Sequence, residues 1–375
     1  MAKLNAAESI RGLACVAVVL SHLSLTFYPY LHRFDRQDQA KGQFDYFIHH
    51  SPFAFLYSGT AAVFVFFVLS GFVLTYAIVK NNNIPRKVLE MTIKRYPRLA
   101  IPTFVSCLIA WAILAFSAID SSLVNHWFQV YAKQNIGLQQ ALYEGSIGSF
   151  LFGSSAINWV LWTMQIEFFG SLLLFVLLIL LNYHKLSFWM ASLILPLIGL
   201  YLGERFFLGL LSFVIGCYIY LYAKQLSFKA GLVIFIVGLY CAGVHNTSHA
   251  YQWLYQILGY RSYDYVNFAS GILIVYSILM TPQISQWLDK KPLVYLGKLS
   301  FSIYLLHMSV LYLICLPLFN FMQYLGWSYH IAVFSAVLVF FVLLLLISSV
   351  YSRYVDDFAV KCSHALAKGL LKSKV

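Results

Sequence analysis

The chain has 375 residues, of which 61% are hydrophobic and only 10% are charged, whereas about a quarter of the residues in soluble globular proteins are charged. This composition excludes a soluble enzyme and predicts an all-α, polytopic helical bundle in a membrane. The net charge of +12 does not require a nucleic-acid partner, because the bias of basic residues to one side of a membrane explains it. The six cysteines are scattered without C-x-x-C spacing, which predicts neither a disulfide framework nor a zinc site.

Ten apolar windows are long enough to cross a bilayer. They cover residues 12–31, 53–79, 97–118, 156–182, 187–203, 205–223, 230–245, 264–281, 299–320 and 330–351. Only "GERF" separates the fifth window from the sixth, so these two could instead form one helical hairpin. We therefore expect a single transmembrane domain of about ten helices over 1–351, and a cytoplasmic tail over 352–375 that forms a short interfacial helix.

The distribution of lysine and arginine predicts the orientation of these spans. With the N-terminus inside, 19 of the 25 basic residues lie on the cytoplasmic side. The other six are Arg33, Arg36, Lys41, Lys133, Arg205 and Arg261. This asymmetry predicts a multi-pass membrane protein with both termini in the cytoplasm, and we expect it in the inner (plasma) membrane. The connections over 32–52 and 119–155 are then the longest external loops.

The first span contains two ionisable residues, Arg11 and His22, in "ESIRGLACVAVVLSH". Eleven positions bring them to nearly the same face of a helix, roughly 16 Å apart along its axis. We expect the pair to run from the membrane surface to the membrane middle, where a histidine is a functional candidate. The alternative is an arginine that snorkels to lipid phosphate and a histidine that a neighbouring helix satisfies.

The third span begins with "KRYPRLAIP", in which Arg95 and Arg98 flank Pro97. Proline is favoured in a first helical turn, so both guanidinium groups are expected around a cytoplasmic helix start. Arginine grips phosphate in a fork, which makes the pair a candidate phosphate site. A topology signal is the alternative reading of the same residues.

Three further segments place polar groups inside spans. Glu167 is predicted about three turns into the fourth span and needs a partner such as a histidine or an arginine. Ser300, Tyr304 and His307 recur on one helical face, and such a stripe also suits hydrogen bonding between helices. Ser70 lies in mid-span beside a glycine, where small residues allow close approach.

His245 and His249 have H-x3-H spacing in an outer loop, a weak signal for a metal site.

Together these segments resemble acyltransferase family 3, integral membrane proteins that include bacterial O-antigen and capsule O-acetyltransferases. The resemblance rests on the spacing from Arg11 to His22, on "FFVLSGFVL", on the Arg95-x-x-Arg98 pair, on "LWTMQIEFF" and on "LSFSIYLLH". It implies about ten core helices and transfer of an acyl group, usually acetyl from acetyl-CoA, to a hydroxyl of a cell-surface or lipid-linked carbohydrate. An extra periplasmic hydrolase-like domain, which some members carry, is not expected here.

The resemblance also implies roles for individual residues. His22 would be the general base, with Arg11 and Glu167 as further catalytic residues. The acyl-CoA donor would be held by a second group of residues, which are Arg95, Arg98, Ser70, Tyr304 and His307. The expected partners are the donor, a glycan acceptor and membrane lipids, without a metal, and a homodimer is one option for the oligomeric state.

Two other functions compete with this one. A transporter or flippase of lipid-linked saccharides would also line a passage with intramembrane charges. A purely structural membrane protein would leave the buried His22 and Glu167 without a purpose.

Overall fold

The computed structural model describes residues 2–372 and is an all-α membrane bundle without a β-strand in that range. Met1 and the last three residues, which include the end of the predicted tail, lie outside the described residues. The long helices are α1 (Ala2–Phe27), α3 (Gly59–Val79), α4 (Ile84–Phe116), α8 (Trp162–Tyr183), α9 (Lys185–Ile194), α10 (Glu204–Tyr222), α11 (Phe228–Ala242), α13 (Ser262–Met280), α15 (Lys291–Val310), α17 (Tyr329–Tyr351) and α18 (Asp357–Lys372). The shorter helices are α2 (Gln43–His49), α5 (His126–Ala132), α6 (Leu138–Tyr143), α7 (Ser149–Leu151), α12 (Gln252–Leu258), α14 (Pro282–Leu288) and α16 (Leu316–Tyr324).

Eight helical segments among the described residues are long and apolar enough to span a membrane. Two shorter apolar helices, Lys185–Tyr201 and Phe228–Ala242, correspond to the fifth and seventh predicted windows. Each of the ten windows therefore contains a helix. The helix at Phe228–Ala242 has 15 residues, or roughly 22 Å, and is shorter than the hydrocarbon core of about 30 Å.

The fifth and sixth windows are two helices joined by a tight turn. Seven residues at the end of the first helix, Leu195–Tyr201, are wound as a 3₁₀-helix, whose rise of about 2.0 Å per residue lengthens the segment. The 17 residues of Lys185–Tyr201 thus reach roughly 29 Å. Gly203 closes the turn with a φ of 122°, a conformation that glycine adopts without a steric penalty.

Helices α1 and α15 run side by side in the same direction and form the centre of the bundle. The two backbones approach each other closely where the helices cross, because a Cβ atom on Gly12 would lie 2.7 Å from the backbone nitrogen of Gly297. Higher up, the Cys15 thiol donates to the backbone oxygen of Ser300. Small residues at such crossings allow backbones to pack closely inside a membrane. This packing fixes the register between the two helices that carry His22 and His307.

Helix α4 begins much earlier than its apolar window. Asn83 caps the helix by accepting a hydrogen bond from the Arg86 N–H, and a proline occupies the first turn. The helix then runs for 33 residues and includes Pro97 and Pro102 in its interior. The prediction that Arg95 and Arg98 surround a helix start is therefore wrong. Apolar windows stop at charged residues, whereas the backbone hydrogen bonds of a helix continue through them.

Part of the connection over 119–155 is helical and packs inside the bundle. From Leu138 onward it folds as α6, a π-helical turn at Glu144–Gly148 and α7, and this part packs against α4. The Tyr96 hydroxyl donates to the backbone oxygen of Ser146 at 2.8 Å, and a Cβ atom on Gly145 would lie 2.9 Å from the Phe104 Cα. The expectation of an external loop over the whole segment is corrected to a segment that returns between the spans.

Candidate active site

An ion pair at mid-span joins three helices. The Ser70 hydroxyl donates to Glu167 Oε1 at 2.8 Å, and Arg95 Nη2 donates to the same oxygen at 2.5 Å. Ser70 is the twelfth of the 21 residues of α3, so this contact lies near the middle of the bundle. An arginine is thus the partner that the sequence analysis expected for Glu167.

Further contacts hold the Arg95 side chain in place. Its Nε donates to the Ser171 hydroxyl at 2.8 Å, and Nη2 also reaches the Glu167 backbone oxygen at 3.2 Å. The side chains of Arg95 and Glu167 are only 12% and 16% exposed. Glu167 lies five residues after the start of α8, because 156–161 form turns, and the prediction of three turns into the helix is wrong. Because Glu167 lies close to the start of α8, its carboxylate is level with the arginines of α4.

Two more arginines lie near this ion pair. Arg98 is within electrostatic range of Arg11, Arg95, Glu8 and Asp356. Arg11 pairs with both oxygens of Glu8 at 3.1 Å. Within residues 2–372, no carboxylate lies within ion-pair distance of the exposed Arg98. Three guanidinium groups therefore converge, and Arg98 keeps its donors available for an anion.

His22 lies nearer to the end of its span than the sequence analysis expected. Its neighbour Ser21 packs against Gly59, the first residue of α3, where a Cβ atom would lie 2.8 Å from the Ser21 hydroxyl. His22 is therefore level with the first turn of α3, while the cluster of Arg11, Arg95 and Arg98 lies level with its middle. The expected depths, with Arg11 at the surface and His22 in the middle, are both shifted toward the Gly59 end of α3. The cause is α1 itself, which begins at Ala2 rather than at the apolar window.

His22 and His307 form a hydrogen-bonded pair. His22 Nδ1 lies 2.7 Å from His307 Nε2, and His307 Nδ1 lies 3.2 Å from the backbone oxygen of Ile303. Since a carbonyl can only accept, His307 Nδ1 carries the proton and a neutral His307 accepts at Nε2. His22 Nδ1 then donates, and the lone pair of a neutral His22 is on Nε2. This tautomer is the one that a general base needs.

A chamber of about 880 Å³ opens above this pair, and His22 lines it. Its walls include many aromatic rings, which are Trp127, Trp159, Trp162, Tyr260, Tyr263 and Tyr304. Residues of the connections between helices, such as Arg33 and Asn246, line its mouth. A large concave site with aromatic walls and a few polar groups is typical of a binding site for a small organic molecule.

A family model described as an acyltransferase domain matches residues 4–353 of the chain. The match covers nearly the whole sequence. The chain belongs to acyltransferase family 3. No curated protein and no solved structure matches it significantly.

In this member of acyltransferase family 3, Tyr304 ties two walls of the chamber together. Its hydroxyl donates to the Val160 backbone oxygen at 2.9 Å and lies 2.9 Å from the Thr163 hydroxyl. Asn158 Nδ2 donates to the Leu305 backbone oxygen at 2.9 Å. These bonds attach the turn before α8 to α15, and so they position Trp159 and Trp162 around the chamber.

The structure of this acyltransferase shows that Trp127 contacts His22, a role that the sequence analysis did not predict. The Trp127 ring stacks on His22, with ring centroids 5.5 Å apart and planes 19° from parallel, so His22 lies between Trp127 and His307. Trp127 comes from α5, in a connection that the sequence analysis expected to be an external loop. The signal that could have drawn attention to this segment is a short helical repeat, because Val124, Phe128 and Tyr131 recur at i, i+4 and i+7 and are buried.

A second residue that sequence reasoning missed is Asp356, in the π-helical turn Ser352–Asp356 that follows α17. It accepts from the Ser302 hydroxyl at 2.5 Å and lies in electrostatic range of Arg98. Its other oxygen is buried without a hydrogen-bond partner among the described residues. The helix that follows, α18, packs against α4, so the C-terminal segment supports the helix that carries Arg95 and Arg98.

Histidines from the connections between helices lie near the chamber, and His32 is among its lining residues. His245 Nε2 lies 3.2 Å from His32 Nδ1, and the rings of His50 and His249 stack at 3.9 Å. Burial lowers the pKa of His32 well below its ordinary value, and burial lowers the pKa of His245 to about 4. These two rings are thus uncharged at neutral pH. The two H-x3-H histidines contact different partners, and residues 2–372 contain no cluster arranged to hold a metal.

Proposed function

We propose that this protein transfers an acyl group, with acetyl from acetyl-CoA as the favoured donor, to a hydroxyl of a cell-surface or lipid-linked carbohydrate. The observation that carries the proposal is the His22–His307 pair at the floor of the aromatic chamber. The hydrogen bonds of this pair leave Nε2 of His22 free to accept a proton. The family match supports acyl transfer in general, and the donor and the acceptor are those that the resemblance to acyltransferase family 3 implies.

The reaction follows from this arrangement. His22 Nε2 removes the proton of the acceptor hydroxyl as its oxygen attacks the carbonyl carbon of the thioester. The tetrahedral intermediate collapses with cleavage of the C–S bond, and the imidazolium returns the proton to the leaving CoA thiolate. The products are an ester and free CoA. His307 acts as a positioning residue, because its Nε2 accepts from His22 Nδ1 and stabilises the imidazolium that forms.

The arginine cluster is suited to hold the donor. Arg11, Arg95 and Arg98 converge near mid-span, and guanidinium groups bind phosphate through charge-assisted hydrogen bonds. Arg11 lies roughly 16 Å below His22 on the same helix, a separation that an extended pantetheine arm can bridge. In this arrangement the nucleotide binds toward the cytoplasm, and the thioester reaches the chamber floor.

The contacts of three residues support roles other than direct donor binding. Ser70 donates to Glu167, which in turn holds Arg95. Tyr304 ties the chamber wall, and His307 orients His22. We therefore assign Ser70 and Glu167 to positioning of the arginine cluster, and Tyr304 and His307 to the base and the acceptor chamber.

Acyl-donor turnover by the purified protein tests the proposed function. We expect acetyl-CoA to be consumed when a glycan acceptor is present, with an acetyl mass added to the glycan in mass spectrometry. A protein that moves lipid-linked saccharides across vesicles without consuming acetyl-CoA would instead be a transporter. Comparison of surface glycans from cells with and without the protein identifies the acceptor through a missing acyl mass.

The proposed orientation predicts a specific labelling pattern. A cysteine at Asn82 should be inaccessible to a membrane-impermeant thiol reagent applied from outside, whereas one at Ser122 should be labelled, because the charge bias predicts that the connection between α3 and α4, residues 80–83, is cytoplasmic. Labelling after membrane permeabilisation is the control that both cysteines are exposed. External labelling of Asn82→Cys in intact cells would contradict the orientation.

A further inference from the structure

One positive charge at the chamber mouth has no counter-ion. The charged residues of the chamber lining are Arg33, Arg205 and Asp264. Arg205 donates to Asp264 Oδ1 from Nε at 3.1 Å and from Nη2 at 2.8 Å, so this pair is neutral. No carboxylate among residues 2–372 lies within ion-pair distance of Arg33, whose guanidinium lies 5.2 Å from the centre of the Tyr30 ring. With His32 uncharged, the mouth carries one net positive charge.

The backbone of Arg33 is also unusual. Its φ is 46°, and within residues 2–372 it is the one residue other than glycine with a positive φ. Glycine, asparagine and aspartate are the residues that favour this conformation. Non-glycine residues in this region cluster at ligand sites, where the surrounding structure holds them. The backbone N–H of Arg33 donates to the Pro29 backbone oxygen at 2.9 Å, which helps to fix the turn.

We infer that Arg33 binds an anionic group, a carboxylate or a phosphate, on the saccharide acceptor, and so selects acidic over neutral glycans. The inference rests on the proposed function, since it names the class of acceptor for the same chamber. Tyr263 and Trp162 provide aromatic faces for sugar rings within the same cavity. A guanidinium group at the rim of such a cavity forms charge-assisted hydrogen bonds that a neutral sugar cannot make.

Binding without an acyl donor tests this inference. Tryptophan fluorescence of the purified full chain in detergent reports on the chamber, because Trp127, Trp159 and Trp162 line it. The probes are methyl glucoside, methyl glucuronide and methyl glucoside 6-phosphate, which differ only at C6, together with the same three galactose derivatives. The variants are Arg33→Asn, which suits the positive φ but removes the charge, and Arg36→Asn, a matched control at an exposed arginine outside the lining.

We expect at least one anionic probe to bind about tenfold or more tightly than its neutral counterpart in the wild type and in Arg36→Asn, and equally weakly in Arg33→Asn. The preference between carboxylate and phosphate identifies the source of the anion. The inference is overturned if no anionic probe binds more tightly than its neutral counterpart, or if the preference survives in Arg33→Asn. Because no donor is present, failure of acyl transfer would leave this result standing, and the reverse also holds.

Discussion

Replacement of His22 by glutamine should reduce acyl transfer by about 10²–10⁴-fold, the contribution typical of a general base, and should leave acetyl-CoA binding nearly unchanged. Glutamine keeps hydrogen-bonding capacity at this position but cannot take up a proton near neutral pH. Donor affinity should persist because the arginine cluster is roughly 16 Å away along α1. Glycan acylation and donor binding, both measured in detergent on protein from the membrane fraction, separate the two effects.

His126→Gln is the matched control for this change. His126 is exposed and precedes Trp127, the residue that stacks on His22. His126→Gln therefore removes a histidine close to the site but leaves His22 in place, and we expect no change in the rate of acyl transfer. His307→Gln should lower the rate but not abolish it, because the acceptor still faces His22 Nε2 while the partner that holds His22 Nδ1 is weakened, and the pH–rate profile should shift. If His22→Gln acylated the acceptor at nearly the wild-type rate, His22 would be a packing residue and His307 the next candidate for the base.

The spans were the most predictable part of the fold, because the bilayer dictates the length of an apolar helix. Each of the ten windows contains a helix, and even the hairpin around Gly203 was anticipated from the four residues that separate its helices. The shared face of Arg11 and His22 follows from the period of the helix alone. The need of Glu167 for a partner, a histidine or an arginine, follows from the cost of an unpaired charge in a membrane, and the structure shows that the partner is Arg95.

The depth of the site was not predictable in the same way. Apolar windows end at the first charged residues, yet α4 begins at Ile84 and α1 at Ala2, so both sets of candidate residues were assigned to the wrong level. Hydrogen bonds continue through charged turns, and only neighbouring helices define the level. The contact between Ser21 and Gly59 sets the depth of His22, and neither sequence segment predicts this contact.

The hydrogen bond between His22 and His307 could not be predicted from the sequence either. His22 and His307 are 285 positions apart, and periodicity predicts faces of single helices but not which faces meet. The Gly12–Gly297 crossing sets their register, and such crossings occur between any helices with small residues. The stacking of Trp127 on His22 depends on how the connection over 119–155 folds over the bundle, and the short apolar repeat of α5 does not indicate which helices it contacts.

The two arginines of the Arg95-x-x-Arg98 pair should respond differently to truncation. Arg98→Ala should weaken acetyl-CoA binding by about 10- to 100-fold, because it removes a charge-assisted contact of roughly 1.5–3 kcal/mol from a side chain that is free of ion pairs. Thermal stability should change little, since Arg98 is exposed. Isothermal titration with acetyl-CoA and thermal unfolding in detergent measure the two quantities, with Arg86→Ala, an exposed arginine on the same helix, as the matched control.

Arg95→Ala should instead destabilise the fold by about 3–5 kcal/mol, the cost of breaking a buried ion pair from one side, because Glu167 would remain at mid-span with only Ser70 as a partner. The double variant Arg95→Met with Glu167→Leu replaces both charges by apolar groups of similar volume, which is often neutral for stability. We expect it to recover the unfolding temperature. Donor affinity measured in this folded double variant then reports what Arg95 contributes to binding apart from stability. Wild-type donor affinity in Arg98→Ala, combined with a large loss in the stable double variant, would move the phosphate contact from Arg98 to Arg95.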